Sequence, residues 1–297
     1  MKTINNPIFK FIFLMVVLTA PATLVEGKFT NSAAEVSTNV SNNYHAADAI
    51  KKIFKYTVMA TPVYAKNAEA ENLMKSIAAK NQLVLKMIAA RIELKKVLAV
   101  ADDIYEGMEL EEAGLSQKAF EYAWRGYSKL QKRGMLHNSN ILSICDFSQS
   151  SSEQRMYVID VRSRKLLYRT YVAHGINSGE AFANSFSNRP ESCKSSLGFY
   201  ITQRTYTGIN GLSLRIEGVD RGFNDQASKR AIVIHGATYV SERILHKYGV
   251  MGTTFGCPAI PAELSTEIIP LVKNGSCFFI YYPSKKYLAE SPVLNNL

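Results

Sequence analysis

The pattern of apolar residues changes near Met135, and this change limits the fold more than any other feature of the 297-residue chain. Before it, apolar residues recur at helical spacing. After it, short alternating or apolar runs are separated by Gly, Asn, Ser and Arg, the pattern of strands and turns. We therefore predict an α+β protein in which a helical segment, residues 66–135, precedes a β-rich domain, residues 136–297, with a curved sheet or barrel.

Two helices are predicted in the helical segment. The first runs from Glu69 to about Val100 and is amphipathic, with lysines between its apolar residues, so we expect its apolar stripe to pack on another element. That stripe is Leu73, Ile77, Val84, Ile88 and Ile92. The second helix starts at the N-cap Ser116 and ends at Gly134. Its apolar face is Phe120, Ala123, Trp124, Tyr127 and Leu130.

Six strands and two further helices are predicted in the β-rich domain. The strands are Met156 to Val161, Lys165 to Val172, Gly198 to Arg204, Leu212 to Gly218, Ala231 to His235 and Cys277 to Tyr282. The helices are Ser241 to Lys247 and Ala262 to Val272. Six strands suffice for a closed or strongly curved sheet.

The N-terminus has the pattern of a secretory signal peptide. Lys2 and Lys10 precede an uncharged apolar run from Phe11 to Val25, which ends among small residues. This run is shorter than the roughly 20 residues that a membrane-spanning helix needs. We predict that residues 1–27 are a signal peptide, that residues 28–65 are a flexible lead-in, and that the protein is exported to the periplasm or cell wall.

The net charge of +10 is concentrated in the first part of the chain. Residues 28–100 contain 11 Lys and Arg against 5 Asp and Glu. This segment is predicted either to contact an anionic cell-wall polymer or membrane surface, or simply to present a solvated helix face. Because export is predicted, nucleic acid is not expected as a partner. We also expect the protein to be a monomer.

One histidine and one cysteine form a candidate catalytic pair. His235 ends the predicted strand Ala231-Ile-Val-Ile-His, and Cys257 follows Gly256 in the loop Thr254-Phe-Gly-Cys-Pro. A free thiol is mostly protonated at neutral pH, and an imidazole can activate it as a nucleophile. His174, in Val-Ala-His-Gly, is the competing base. No metal or cofactor is expected, since the spacing of His and Cys residues fits no metal motif.

The β-rich domain resembles the L,D-transpeptidase (YkuD-like) catalytic domain, in particular the murein L,D-transpeptidase catalytic domain subfamily. The resemblance extends from about Gly114 to Pro283 and rests on four motifs. They are Ser185-Phe-Ser-Asn-Arg-Pro, Lys194-Ser-Ser-Leu-Gly-Phe-Tyr, Ala231-Ile-Val-Ile-His-Gly and Gly256-Cys-Pro-Ala. Phe255 and Pro258 depart from the broader family, which usually has His before the glycine and Arg or His after the cysteine.

The resemblance implies acyl transfer on peptidoglycan stem peptides. Cys257 would attack the carbonyl of the third-position diamino acid and expel D-Ala, with His235 as base and then acid. The Gly236 carbonyl would orient the imidazole, and the Gly256 and Cys257 amides would bind the oxyanion while Thr254 braces the loop. Transfer to an amine would give a 3-3 crosslink. Transfer to water would make the protein an L,D-carboxypeptidase, and a non-catalytic cell-wall binding protein is the third hypothesis.

Several polar residues are candidates for binding the substrate carboxylates. The cations are Arg189, Lys194 and Arg215, and the neutral donors are Ser195, Ser196 and Tyr239. Arg189 lies within a motif that carries the resemblance. Of the cysteines other than Cys257, namely Cys145, Cys193 and Cys277, at most two can pair with each other, and the sequence does not specify which.

Overall fold

The computed structural model describes residues 68–295. The predicted signal peptide and lead-in therefore lie outside the described residues. The chain divides into two units, residues 1–85 and 86–297. The described part of the first unit is the beginning of a long helix, α1 (Ala68–Gly107). Among helices in residues 68–295, none is long and apolar enough to cross a membrane.

Helix α1 is longer than predicted, and its apolar stripe is only partly covered in the second unit. Ile88 is partly buried, whereas Ile92 is 39% exposed. Only the last turns of the helix join the core, through Ala101, Ile104 and Tyr105. The predicted docking of the stripe is thus wrong at Ile92, because the core meets α1 only near its C-terminal end.

The second helix, α2 (Gln117–Lys132), is confirmed with its cap. Ser116 Oγ accepts a hydrogen bond from the Ala119 N–H at 3.1 Å, which satisfies one of the free donors at the helix start. The buried face of α2 belongs to the same core as the strands. Its buried residues are Ala119, Phe120, Ala123, Gly126, Tyr127 and Leu130.

Eight strands form one mixed sheet in the order β3-β2-β1-β8-β4-β5-β6-β7. Their bounds are β1 (Ile141–Asp146), β2 (Met156–Asp160), β3 (Lys165–Thr170), β4 (Gly198–Gly208), β5 (Gly211–Gly218), β6 (Val233–Ala237), β7 (Ala259–Pro261) and β8 (Cys277–Tyr281). All six predicted strands are present with shifted ends. The two that were not predicted are β1 and β7.

The sheet curves until its two edges meet. Just beyond β3, Ala173 forms an antiparallel bridge with Ala259 of β7, so the two edge strands of the sheet approach each other. This nearly closed, barrel-like sheet with N-terminal helices confirms the predicted α+β class. β1 lies inside the sheet, between antiparallel β2 and parallel β8.

The described chain also has a 3-10 helix (Ile176–Ser178) and four further α-helices: α3 (Glu242–Tyr248), α4 (Ala262–Val272), α5 (Lys285–Glu290) and α6 (Pro292–Asn295). Of these α-helices, the first two confirm the predicted helices. The buried Asp220 carboxylate fastens the last two to the sheet, because it accepts hydrogen bonds from Tyr287 Oη at 2.8 Å, the Val293 N–H at 3.2 Å and the Phe199 N–H at 2.9 Å.

Candidate active site

His235 lies in the middle of β6 and not at its end, as was predicted. The strand begins at Val233 instead of Ala231. Ala231 has a φ of 55°, a left-handed conformation that cannot continue a strand, so the strand starts two residues later. His235 pairs with Ser213 of β5 on one side and with Ala259 of β7 on the other. The imidazole is therefore anchored within three adjacent strands.

The Gly236 carbonyl defines which ring nitrogen of His235 is available. Nδ1 lies 2.9 Å from Gly236 O. Since a carbonyl oxygen can only accept, Nδ1 carries the proton and Nε2 of the neutral ring is an acceptor. No described residue hydrogen-bonds to Nε2, so its lone pair has no protein partner within residues 68–295.

Helix α4 packs on β6 at Gly236. A Cβ at this position would lie 2.7 Å from Ser265 Oγ and 3.2 Å from Ala262 Cα. These distances are too short for a side chain unless the helix moves. Glycine at position 236 is thus required by the close approach of α4, and the same residue supplies the carbonyl that holds the imidazole.

Cys257 is placed beside β6 by the short edge strand that follows it. β7 is parallel to β6 with Ala259 next to His235, which brings Cys257 close to Val233. The Val233 N–H donates to Cys257 Sγ at 3.5 Å, and Sγ lies 3.8 Å from Ala231 O. Cys257 thus lies just before β7, beside the strand that carries His235. Among the described residues, no hydrogen bond joins the thiol to His235.

Burial determines the protonation state of the Cys257 thiol. It raises the pKa of the thiol above its usual value, while the Val233 N–H and the Arg230 guanidinium act in the opposite direction. His235 is not among the described groups that alter this pKa. The protonated thiol is therefore the main form at neutral pH, and its attack on a carbonyl needs a base at the moment of reaction.

Thr254 connects the two ends of the loop before Cys257. Its hydroxyl accepts from the Gly256 N–H at 3.0 Å and donates to Cys257 O at 2.7 Å. Gly256 has a φ of 121°, and a Cβ there would lie 2.8 Å from Lys194 O. Both the backbone conformation and the close approach require glycine at this position.

The expectation that two amides bind an oxyanion needs correction. The Gly256 N–H already donates to Thr254 Oγ1, so it is not available to a ligand in this conformation. The Cys257 N–H makes no hydrogen bond among the described residues. One free amide, and not two, is therefore available next to the thiol.

Two of the predicted binding residues belong to the scaffold. Ser195 is 1% exposed, and its Oγ accepts from the Gly175 N–H at 3.0 Å. Ser196 is 2% exposed, and its Oγ lies 3.0 Å from Tyr200 Oη and 3.1 Å from Arg230 Nη1. Both hydroxyls are buried and bonded within the protein, so the expectation that they contact substrate is wrong.

The other candidates remain accessible. Arg215 pairs with Val233 across β5 and β6, and its guanidinium lies 4.6 Å from the centroid of the Tyr206 ring. Burial, and to a lesser degree Cys257, raise the pKa of Tyr239, so its hydroxyl is protonated and can donate. Arg189 is exposed. Lys194 donates from Nζ to Ser185 Oγ at 2.7 Å.

The competing base, His174, has both ring nitrogens occupied. Arg155 Nη2 lies 2.7 Å from Nδ1, and Gly179 O lies 3.1 Å from Nε2. Since arginine donates and a carbonyl accepts, Nδ1 is the acceptor and Nε2 carries the proton. Burial, together with Arg155, lowers the pKa of His174 to about 4. This ring is a neutral structural link with no nitrogen free for a substrate.

The cysteines and acidic residues of the described chain form no metal cluster. No group of three or more His, Cys, Asp or Glu side chains in residues 68–295 could hold a metal ion. All four cysteines are free, with Cys145 and Cys277 buried in the core. Burial raises the pKa of both of these thiols, so they are unreactive.

Sequence reasoning missed Arg230, which lies against the loop of residues 254–257. Its guanidinium donates hydrogen bonds to the segment from Ser187 to Ser196. Burial raises the pKa of Cys257, and the charge of Arg230 offsets part of that increase. In the sequence it follows Ser-Lys in a turn, a pattern typical of a solvated charge. Only its position directly before the Ala231 strand motif could have drawn attention to it.

Comparison with known proteins supports the resemblance inferred from the motifs. A family model described as the L,D-transpeptidase catalytic domain matches residues 111–281, close to the range predicted from the motifs. Among curated proteins, no match was found.

Solved structures of L,D-transpeptidases also match, at low similarity. An L,D-transpeptidase from Mycobacterium smegmatis is 11% identical with a TM-score of 0.30, and the match covers 48% of this chain and 59% of that one. L,D-transpeptidase 1 from Mycobacterium tuberculosis is 10% identical with a TM-score of 0.26, and the match covers 48% and 62%. The present chain thus spans about three-fifths of these structures. The family model matches more than half of the present chain, which therefore belongs to the L,D-transpeptidase catalytic domain family.

Proposed function

We propose that the protein is a peptidoglycan L,D-transpeptidase in which Cys257 is the nucleophile and His235 is the general base. The observation that supports this best is the contact between His235 and the backbone. Gly236 O lies 2.9 Å from Nδ1, so in the neutral ring the proton is on Nδ1 and Nε2 is an acceptor without a described partner. Because burial keeps Cys257 protonated, this nitrogen takes the thiol proton during attack and not before it.

The first step forms a thioester. Sγ attacks the carbonyl carbon of the third residue of a tetrapeptide stem while Nε2 of His235 accepts the thiol proton. The bond to the nitrogen of the terminal D-Ala breaks, and the imidazolium gives its proton to that leaving amine. We assign the Cys257 N–H as the oxyanion donor, because it has no partner among the described residues, and one such donor is typically worth about 3 kcal/mol.

The second step releases the acyl group. An amine from a neighbouring stem attacks the thioester carbon, His235 takes a proton from that amine, and the proton returns to Sγ as the carbon–sulfur bond breaks. The product is a 3-3 crosslink. If water takes the place of the amine, the same steps give a trimmed tripeptide stem, which is the L,D-carboxypeptidase outcome.

The substrate carboxylates are assigned to accessible groups near the thiol. Arg215 lies one strand from β6 and next to Val233, whose N–H contacts Sγ. Tyr239 is half-buried and interacts electrostatically with Cys257, which supports its choice as a binding residue. Arg189 is the third candidate. Arg215→Gln should raise KM more than it lowers kcat, because a carboxylate contact remote from the reacting bond contributes mainly to binding.

Export and an anionic surface partner are also part of the proposal. The signal-like N-terminus supports export to the compartment that contains peptidoglycan. In the described part of residues 28–100, α1 exposes Lys80, Lys86, Lys95 and Lys96. Cosedimentation with isolated cell walls, compared between the mature protein and a variant with these four lysines changed to Gln, tests whether the helix binds such a surface.

Muropeptide analysis tests the proposed reaction. Purified protein is incubated with disaccharide tetrapeptide, and the 3-3 dimer, the tripeptide and free D-Ala are quantified. We expect dimer and D-Ala from the wild type and neither from Cys257→Ala. Cys193→Ser is the matched control, because Cys193 is another partly exposed thiol, and it should keep activity. Tripeptide without dimer would identify a carboxypeptidase, and no product with the folded wild type would refute catalysis.

A further inference from the structure

We propose that Arg230 is a positioning residue that fixes the loop of residues 254–257 and stabilises the Cys257 thiolate with its charge. The inference rests on the proposed role of Cys257 as nucleophile. Arg230 is not part of any motif that identified the site. It precedes Ala231, whose carbonyl oxygen lies 3.8 Å from Cys257 Sγ.

The guanidinium of Arg230 is completely engaged at its two terminal nitrogens. Nη1 donates to Ser187 O at 2.8 Å and Ser196 Oγ at 3.1 Å, and Nη2 donates to Lys194 O at 2.6 Å and Ser192 Oγ at 3.2 Å. Two terminal nitrogens carry four N–H donors in all. No terminal donor is left for a bidentate contact with a substrate carboxylate, so Arg230 does not act as a substrate ligand.

The same guanidinium supports the residue before the nucleophile. A Cβ on Gly256 would lie 3.1 Å from Arg230 Nη2 and 2.8 Å from Lys194 O. The backbone of Gly256 therefore packs directly on the Arg230–Lys194 hydrogen bond. On the other side, the Gly256 N–H donates to the Thr254 hydroxyl. The loop is thus clamped between Thr254 and Arg230, which restricts where Cys257 can point.

The charge of Arg230 has no acidic partner among the described residues. Its four acceptors are neutral oxygens, and no carboxylate of residues 68–295 forms an ion pair with it. The ionisable groups that interact with it most are Tyr200, Cys257 and Cys193. A half-buried cation without a counter-ion is destabilised, and formation of the Cys257 thiolate would supply the missing negative charge. In turn, burial raises the pKa of Cys257 and Arg230 offsets part of that increase.

The pH dependence of alkylation tests this role. The rate at which iodoacetamide modifies Cys257 is measured from pH 6 to 10 at constant ionic strength, and modification is resolved by peptide mass spectrometry. The alkylation rate rises with pH as the thiol ionises, and in Arg230→Gln this rising limb of the rate–pH curve should move to higher pH. The alkylation rate at pH 7 should fall roughly three- to tenfold. Lys229→Gln removes a charge from an exposed neighbour and should leave the limb in place.

A conservative variant separates charge from position. Arg230→Lys keeps the charge but cannot make the four hydrogen bonds, so its alkylation limb should stay near that of the wild type while acylation by a carbapenem slows. If Arg230→Gln does not fold, the proposal is tested with Arg230→Lys alone. Three results would each overturn the proposal. The limb does not move in folded Arg230→Gln, it moves equally far in Lys229→Gln, or it moves as far in Arg230→Lys as in Arg230→Gln.

The outcome is independent of the proposed reaction, because alkylation needs no peptidoglycan. A shifted limb without muropeptide products would refute the transpeptidase activity alone. Products with an unshifted limb would refute the role of Arg230 alone.

Discussion

His174 and His235 lie in nearly the same local sequence, Val-Ala-His-Gly and Val-Ile-His-Gly. They differ in how many of their ring nitrogens have a hydrogen-bond partner in the protein. Both are buried, with 1% and 4% exposure. Arg155 and a carbonyl oxygen use both nitrogens of His174. At His235 a carbonyl uses Nδ1, and no described residue uses Nε2.

The comparison shows that the partner of the second nitrogen decides what a buried histidine can do. A cation next to His174 opposes a second positive charge on the ring and lowers its pKa to about 4. His174 instead links Arg155, just before β2, to Gly179 in the loop after β3. The histidine with a free acceptor is the one that can take a proton from a thiol.

The largest difference is expected when each histidine is replaced in turn. His235→Gln should slow acylation of Cys257 by a carbapenem by about 10² to 10⁴-fold, because the general base is lost. His174→Gln should leave the rate per folded molecule within a few fold of the wild type. Stopped-flow absorbance with intact-protein mass spectrometry measures both, and a similar loss in both variants would show that the two rings are not distinct.

The glycine after each histidine provides the second test. Gly236→Ala puts a Cβ 2.7 Å from Ser265 Oγ, so α4 and the carbonyl that orients His235 must shift, and both stability and acylation should fall. We expect about 1–3 kcal/mol of lost unfolding free energy and roughly tenfold or greater slowing of acylation.

Gly175→Ala is the matched variant, since its Cβ would lie 2.5 Å from Cys193 O. It should be destabilised as well, but the acylation rate of its folded fraction should fall less. The reverse ranking of the two variants would contradict the orienting role of Gly236.

The low pKa of His174 predicts a dependence of stability on pH. The unfolded chain takes up a proton near pH 6.5 and the folded protein only near pH 4. The unfolded state therefore binds more protons in between, and the free energy of unfolding decreases as the pH falls from about 6.5 to 4. The contribution is on the order of 2–3 kcal/mol. Urea unfolding across this range should show a flatter pH dependence in His174→Gln, and parallel curves would contradict the assignment.

The smallest effect is expected for alkylation of Cys257 in His235→Gln. Burial raises the pKa of this thiol, and His235 is not among the described groups that offset the increase. The alkylation of Cys257 by iodoacetamide should therefore accelerate at a higher pH than that of an unburied cysteine. This rising limb of the rate–pH curve should not move in His235→Gln. A clear upward shift would show that a thiolate–imidazolium pair forms before substrate binds.

Much of the fold could be predicted because local patterns determine it. The α2 face and the six predicted strands follow from apolar spacing within short windows. β1 could not be predicted in the same way, because Ile141–Asp146 acquires its place through pairing with β8, more than a hundred residues later. β7 has three residues and exists only because it lies between β6 and the chain after β3.

The candidate site was predictable in its main residues and not in its environment. Glycines next to His235 and Cys257 indicated close backbone approaches, and the structure has such approaches at Gly236 and Gly256. The burial of Ser195 depends on the distant Gly175 N–H, and the thiol contact with the Val233 N–H depends on strand register. Those contacts join residues far apart in sequence, so no local pattern reports them.

Trapping of the acyl-enzyme tests the central claim most directly. Wild-type protein is mixed with disaccharide tetrapeptide, quenched in acid within seconds, digested, and examined by mass spectrometry for a thioester. The account predicts a disaccharide-tripeptide acyl group on Cys257, formed with release of one D-Ala and greatly reduced in His235→Gln. An acyl group on another residue, or release of D-Ala at the wild-type rate by Cys257→Ala, would contradict it.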